Sequence, residues 1–80
     1  MIDRINLSPN EAYEFQTDGS QYVIVVSVSD LGIEVRKDDK VLAVLNWLET
    51  YSCPANTGAY VVKNPNNESA DVLLVRYILL

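Results

Sequence analysis

Two segments of this chain carry apolar side chains on both of their alternating faces: Tyr22–Val28 (YVIVVSV) and Val72–Leu80 (VLLVRYILL). A half-buried strand alternates apolar and polar residues with period two, because successive side chains point to opposite sides of the sheet. In the second segment Leu73, Val75, Tyr77 and Leu79 fall on one face. Val72, Leu74, Ile78 and Leu80 fall on the other, interrupted only by Arg76. Folding at 80 residues buries only roughly 60–65% of the surface the unfolded chain exposes. So short a chain can hardly cover both faces of such strands itself. A second chain is expected on the outer one, which points to a subunit or a binding module and not to a free-standing enzyme.

The length allows one domain, residues 1–80. Small domains gain stability from disulfides, a metal or a partner chain. Cys53 is the single cysteine, so no intrachain disulfide forms. Histidine is absent, and a lone thiol offers no metal-ligand spacing. Association is the aid that remains, in agreement with the two-faced strands. No cofactor is expected.

The composition, 49% hydrophobic and 21% charged, is that of a globular domain. Eleven Asp and Glu against six Lys and Arg leave a net charge of −5, which disfavours attraction to nucleic-acid phosphates or anionic lipid. Arg36, Lys37 and Lys40 are the one basic group close in sequence, and Asp38 and Asp39 interrupt it, as at a solvated hairpin tip. The apolar runs fall short of the roughly 20 residues that span a bilayer, and the first residues are polar and acidic, unlike a secretory signal. The expectation is a protein made in the cytoplasm.

Turn residues arrive between short apolar runs throughout, the punctuation of an all-β domain. Ile2–Leu7 and Ala12–Thr17 alternate, separated by Ser8-Pro9-Asn10; proline lacks the donor that a ladder needs. Tyr22–Ser29 is rich in valine and isoleucine, whose β-branching suits a pleated surface better than a helix. Ile33–Lys37 and Val41–Leu45 read as a hairpin around Asp38-Asp39, although the loop lacks the Asn-Gly or Asp-Gly pair of a firm two-residue turn. Val41, Val44, Leu45 and Leu48 also fit a helical stripe that Asp38 or Asp39 would cap. Ser52–Gly58 reads as a loop, Ala59–Asn64 as a strand and Val72–Leu80 as the closing strand. The expected fold is a small antiparallel β-sandwich or jelly-roll-like barrel of about seven strands.

No constellation advertises catalysis. Without histidine the serines and Cys53 have no such base to activate them. Glu11 and Glu14, Asp38 and Asp39, and Glu68 and Asp71 are pairs by sequence only, at turns and strand ends where surface charge is ordinary. Lys37 and Lys40 already neutralise the Asp38-Asp39 pair, which lacks the dense oxygen spacing of a calcium loop. Gly19, Gly32 and Gly58 are too far apart for a phosphate loop. Trp47, Phe15 and the five tyrosines lack interleaved basic residues for nucleic acid and read as packing or interface residues. Cys53 reads as a packed thiol, and Asn67-Glu68-Ser69 as a chance match to the glycosylation pattern.

The order of features from Leu7 onward resembles the small virion-associated β-sandwich (jelly-roll-like) structural proteins of bacteriophages. The elements are Leu7-Ser8-Pro9-Asn10-Glu11, Tyr13-Glu14-Phe15, Tyr22–Val28, Ile33–Leu45, Ala59–Asn64 and Val72–Tyr77. The likeness is one of strands and turns, with no chemical signature. Cupin-like jelly rolls share the opening, but their metal-binding members use histidines this chain lacks. The resemblance implies a non-enzymatic structural subunit of a virion, often trimeric, at a capsid surface, vertex or tail.

The leading expectation is therefore an assembly subunit of a virus particle. Its partners would be further copies of itself, a trimer among the options, or a capsid or tail protein, with no nucleic acid or membrane involved. The expected contact face is Val72, Leu74, Ile78 and Leu80, with Val23 and Val25 contributing. Arg76 lies on that face and needs a carboxylate partner or a place at the rim, because an unpaired buried charge is too unfavourable. Two alternatives remain: a small acidic inhibitor or adaptor that caps a site on another protein, and a small-ligand-binding or enzymatic barrel.

Overall fold

The computed structural model describes residues 1–78. These form eight strands: β1 (Ile2–Leu7), β2 (Ala12–Thr17), β3 (Gln21–Ser27), β4 (Ile33–Lys37), β5 (Lys40–Leu45), β6 (Thr50–Cys53), β7 (Gly58–Lys63) and β8 (Ala70–Ile78). They pair antiparallel in two four-stranded sheets, ordered β1-β8-β3-β6 and β2-β7-β4-β5. This is the jelly-roll arrangement of a small β-sandwich, the fold class expected from the sequence. Among the pairings, β4 with β5, β3 with β6, β2 with β7 and β1 with β8 are nested one inside the next.

The strand beyond the expected seven is β6, in a stretch read partly as loop. It is four residues long, and the turn before it contains neither glycine nor proline; Leu48 supplies the positive φ of +60°. The segment that also fitted a helical stripe is strand through Leu45.

The β4–β5 hairpin turns on Asp38 and Asp39, both at positive φ (51° and 63°), with Lys37 paired to Lys40. Positive φ at both central residues is the type I′ geometry, whose twist matches that of the flanking strands. Farther along, Val35 opposes Ala43 while Arg36 opposes Val41, so Leu42 is the extra residue of a β-bulge.

The core lies between the sheets. Leu7, Val23, Val25, Val72, Leu74 and Cys53 face inward from one sheet, and Phe15, Ile33, Val35, Leu45, Tyr60 and Val62 from the other. The expected contact face is thus corrected: Val23, Val25, Val72 and Leu74 are each 0% exposed and form the centre of the protein's own core. Ile78 lies past the end of that core and is exposed, and Leu80 falls outside the described residues.

Candidate assembly surface

The reversal follows from register. Ile24, at the middle of β3, opposes Val75 on β8, and Val75 opposes Ile2 on β1. One step along, Val26 opposes Leu73, and Leu73 opposes Arg4. These side chains share the side of the sheet opposite Val25 and Leu74, because side chains alternate along a strand. The outer surface of β1-β8-β3-β6 therefore carries Ile24, Val26, Leu73 and Val75, with Ile2 and the Tyr22–Tyr77 pair beside them. The two tyrosine rings stack across β3 and β8 with centroids 5.1 Å apart. Ile2 is 65% exposed and Tyr77 40%. The four central residues are half-buried.

Charge on this surface is confined to one end and paired there. Arg4 Nε donates to Asp71 Oδ2 at 3.0 Å, and Asn6 Nδ2 donates to Asp71 Oδ1 at 2.7 Å. These donors, Asn6 first and then Arg4, hold the Asp71 carboxyl below its ordinary value. Arg76 follows Leu74 on the inner side, at the open end of the sandwich, where its Nε donates to Asp3 Oδ2 at 3.0 Å. It has the carboxylate partner the sequence reading required.

The outer surface of the other sheet differs in kind. Glu14, Glu34, Arg36 and Lys63 lie among Ala12, Ala59, Val61 and the exposed Val41 and Val44 of edge strand β5, with an ion pair between Arg36 and Glu34 at 3.7 Å. A shallow depression of about 350 Å³ sits over Val61 and Ala59, rimmed by Glu14, Arg36, Lys37 and Lys63. Charge is spread through this surface, whereas the centre of the other is apolar throughout.

The inner groups offer no reactive constellation. Burial pushes the Cys53 thiol up from 9.0 to about 11, against the opposing pull of the Lys37 charge. A thiol held neutral is a poor nucleophile. Lys37 itself is tied down: its Nζ donates to Thr57 O (2.6 Å) and Ala59 O (3.2 Å) and lies 4.5 Å from the centre of the Tyr60 ring. Tyr60 stacks on Phe15, and its hydroxyl meets Thr57 Oγ1 at 2.8 Å, which meets Thr17 Oγ1 at 3.0 Å. These hydroxyls satisfy one another at one end of the sandwich. Among the described residues there is no group of three or more His, Cys, Asp or Glu side chains placed to hold a metal ion.

Further exposed apolar side chains run from the outer face of β5 to the turn that leads into β6 beside β3. On edge strand β5 and the turn after it, Val41 (46%), Leu42 (41%), Val44 (54%), Trp47 (57%) and Leu48 (57%) are exposed. The sequence marked Trp47 only as one packing or interface aromatic among several. Its position at a corner follows from the turn expected through Asn46, whose carbonyl accepts from Glu49 N at 3.0 Å, and from the positive φ of Leu48.

No protein-family model and no curated protein matches the chain. Two solved structures share its fold. The solution structure of a de novo designed double-stranded β-helix superposes with a TM-score of 0.79 at 15% identity, covering 96% of this chain and 99% of the other. The crystal structure of Drosophila melanogaster CENP-C bound to CAL1 superposes with a TM-score of 0.70 at 14% identity, covering 96% of this chain and 64% of the other.

Proposed function

We propose that this protein is a non-enzymatic structural subunit that works by association. In this reading it buries the outer surface of β1-β8-β3-β6 against another copy of itself. Whereas the outer surface of the other sheet mixes the charges of Glu14, Glu34, Arg36 and Lys63 with Val41, Val44 and Val61, that of β1-β8-β3-β6 is valine, isoleucine, leucine and tyrosine at its centre, and this observation carries the reading. A monomer gains nothing from such a surface, whereas an association gains roughly 25 cal/mol for each Å² of it removed from water. The charges on it pair within the chain, so no unmatched charge calls for a partner of opposite sign. That favours a second copy.

The strand-and-turn likeness to small phage structural proteins supports a place in a virus particle, as a capsid decoration, vertex or tail component. CENP-C, of similar fold, was solved bound to another protein, which is in keeping with a binding role for a sandwich of this kind. The acidic-cap alternative draws less support, because Asp3, Asp71 and Glu34 each face an arginine instead of gathering into one acidic patch.

Sedimentation of the wild-type chain and of Val75→Glu tests the reading. The wild type is expected as a defined oligomer at tens of micromolar, and the variant as a folded, smaller species. A wild type that stays monomeric, and does not copurify with particles, overturns it.

A further inference from the structure

Association through β1-β8-β3-β6 leaves unused the depression of about 350 Å³ on the opposite sheet. We propose that this depression is a binding site for a small zwitterion with an aliphatic body, a free α-amino acid. Its carboxylate meets Arg36, its ammonium meets Glu14, and its side chain rests on Ala59 and Val61.

Strand register sets the walls. Glu14 on β2 opposes Val61 on β7, and Val61 opposes Arg36 on β4. An acid and a base thus stand on either side of one valine, two strand spacings or roughly 9–10 Å apart at the backbone. Ala59 and Lys63 flank Val61 along β7 on the same face. Short apolar side chains make the floor and longer charged ones the rim, and the volume is at the lower end of small-molecule sites.

The charged groups around the floor are not spent on one another. Arg36 Nε is buried and has no hydrogen-bond acceptor; among the described residues no other buried side-chain nitrogen or oxygen lacks a partner. Glu34 Oε1 stands 3.7 Å from it, beyond hydrogen-bond reach. A buried donor without an acceptor is unfavourable, and native structures keep few. The Arg36 side chain is 33% exposed and lines the depression. A carboxylate is the acceptor whose two oxygens match a guanidinium fork. Glu14 and Lys63 have no ion-pair partner among the described residues.

A second cation at the rim is fixed in advance. Lys37 Nζ donates to Thr57 O at 2.6 Å and to Ala59 O at 3.2 Å, which uses two of its three protons. A charge already held in place adds little ordering cost to binding. Asp38 and Asp39 line the same depression. Together with Glu14 they repel a phosphate or a dicarboxylate, whereas a ligand with one carboxylate and one ammonium meets both signs.

Glu14, Arg36 and Lys63 all lie on β2-β7-β4-β5, so the site and the association reading stand or fall separately. Amide chemical shifts of the isotope-labelled full chain, followed during titration with L-leucine, test the site. Saturable shifts are expected at Arg36, Ala59 and Val61, with a dissociation constant of about 1 mM or tighter. Isocaproate has leucine's carbon skeleton and carboxylate without the ammonium, and is expected to bind about fivefold more weakly. Arg36→Gln loses the bidentate pair and is expected to weaken leucine about tenfold. Glu14→Gln is expected to weaken leucine and leave isocaproate unchanged.

If circular dichroism shows Arg36→Gln unfolded, Glu14→Gln, at an exposed position of edge strand β2, carries the test. A leucine titration that never saturates overturns the proposal, and so does leucine binding that the folded variants leave unchanged. Inorganic phosphate or isocaproate binding as tightly as leucine shows a plain anion site and overturns the zwitterion assignment.

Discussion

Leu73 and Leu74 are neighbours in the chain and lie on opposite surfaces of one sheet. Leu74 is 0% exposed between the sheets opposite Val25, while Leu73 faces outward opposite Val26. A charge at the two positions therefore has unequal effects. Leu74→Glu places a carboxylate in the core with no partner and is expected to unfold the chain, since such substitutions exceed about 4 kcal/mol. Leu73→Glu is expected to cost about 1 kcal/mol or less in the monomer, as surface substitutions do. Urea denaturation of both variants checks the pair; equal losses would reverse the assignment of faces.

Asn64 ties together the loops at one end of the sandwich. It is fully buried, and its Nδ2 donates to Leu7 O (3.1 Å), Ser8 O (3.2 Å) and Glu68 O (2.7 Å). Its Oδ1 accepts from Asn66 N at 3.0 Å and Asn66 Nδ2 at 2.9 Å. Asn64→Ala leaves several of these groups without a partner away from water. At ~1–3 kcal/mol for each group left unsatisfied, a loss of about 2–4 kcal/mol is expected. The denaturation midpoint should fall with the slope unchanged, and an unshifted midpoint contradicts the bonding described.

Asp39 occupies the second central position of a type I′ turn at φ +63°. Glycine accepts that conformation without a Cβ penalty, and Asp-Gly is a preferred pair there. Asp39→Gly is expected to raise stability by about 0.5–1 kcal/mol, read as a higher melting temperature. Asp39→Val, β-branched and forced to the same φ, is expected to lower it.

Cys53 makes stability fall in alkaline solution. Its pKa is raised in the folded chain, to about 11 from 9.0. The stabilisation is fully present below the unfolded value and is lost as pH rises from about 9 through about 11, where the unfolded chain gives up its proton first. The loss attributable to the thiol is on the order of 2 kcal/mol. Cys53→Ala should show a correspondingly shallower decline than wild type over that window. In the folded wild type at neutral pH, a thiol reagent should react only as fast as the chain opens.

Most of the strand plan was readable in the residues. Ile2–Leu7, Ala12–Thr17 and Ile33–Lys37 alternate and are bounded by turn residues, so local chemistry alone marks them. The face assignment of the closing strand was not readable. Both sides of Val72–Leu80 are apolar, and the polar residues that interrupt the pattern, Arg76 and Ser27, belong to the inner side. Ser27 is satisfied within its own turn, its hydroxyl donating to Ser29 O at 3.3 Å, and Arg76 reaches Asp3 at the open end. Those partners come from tertiary placement, so the interior looked like the exterior. β6 escaped notice for a related reason: its entry turn depends on Leu48 holding a conformation that leucine rarely adopts.

The nested pairing of the strands fixes an order of events for the folding chain. Among the described strands only β4 and β5 are consecutive partners; β3 must find β6, β2 must find β7, and β1 must wait for β8. The Asp38–Asp39 turn closes a loop of a few residues, and each enclosing pair must close a longer one at a greater loss of chain entropy. Such non-local topology places small all-β domains in the millisecond-to-second range. The chain should therefore zip outward from that turn, with Asp39→Gly speeding refolding. The sheet edge that carries Ile2, together with β8, should be among the last parts to form and the first to open.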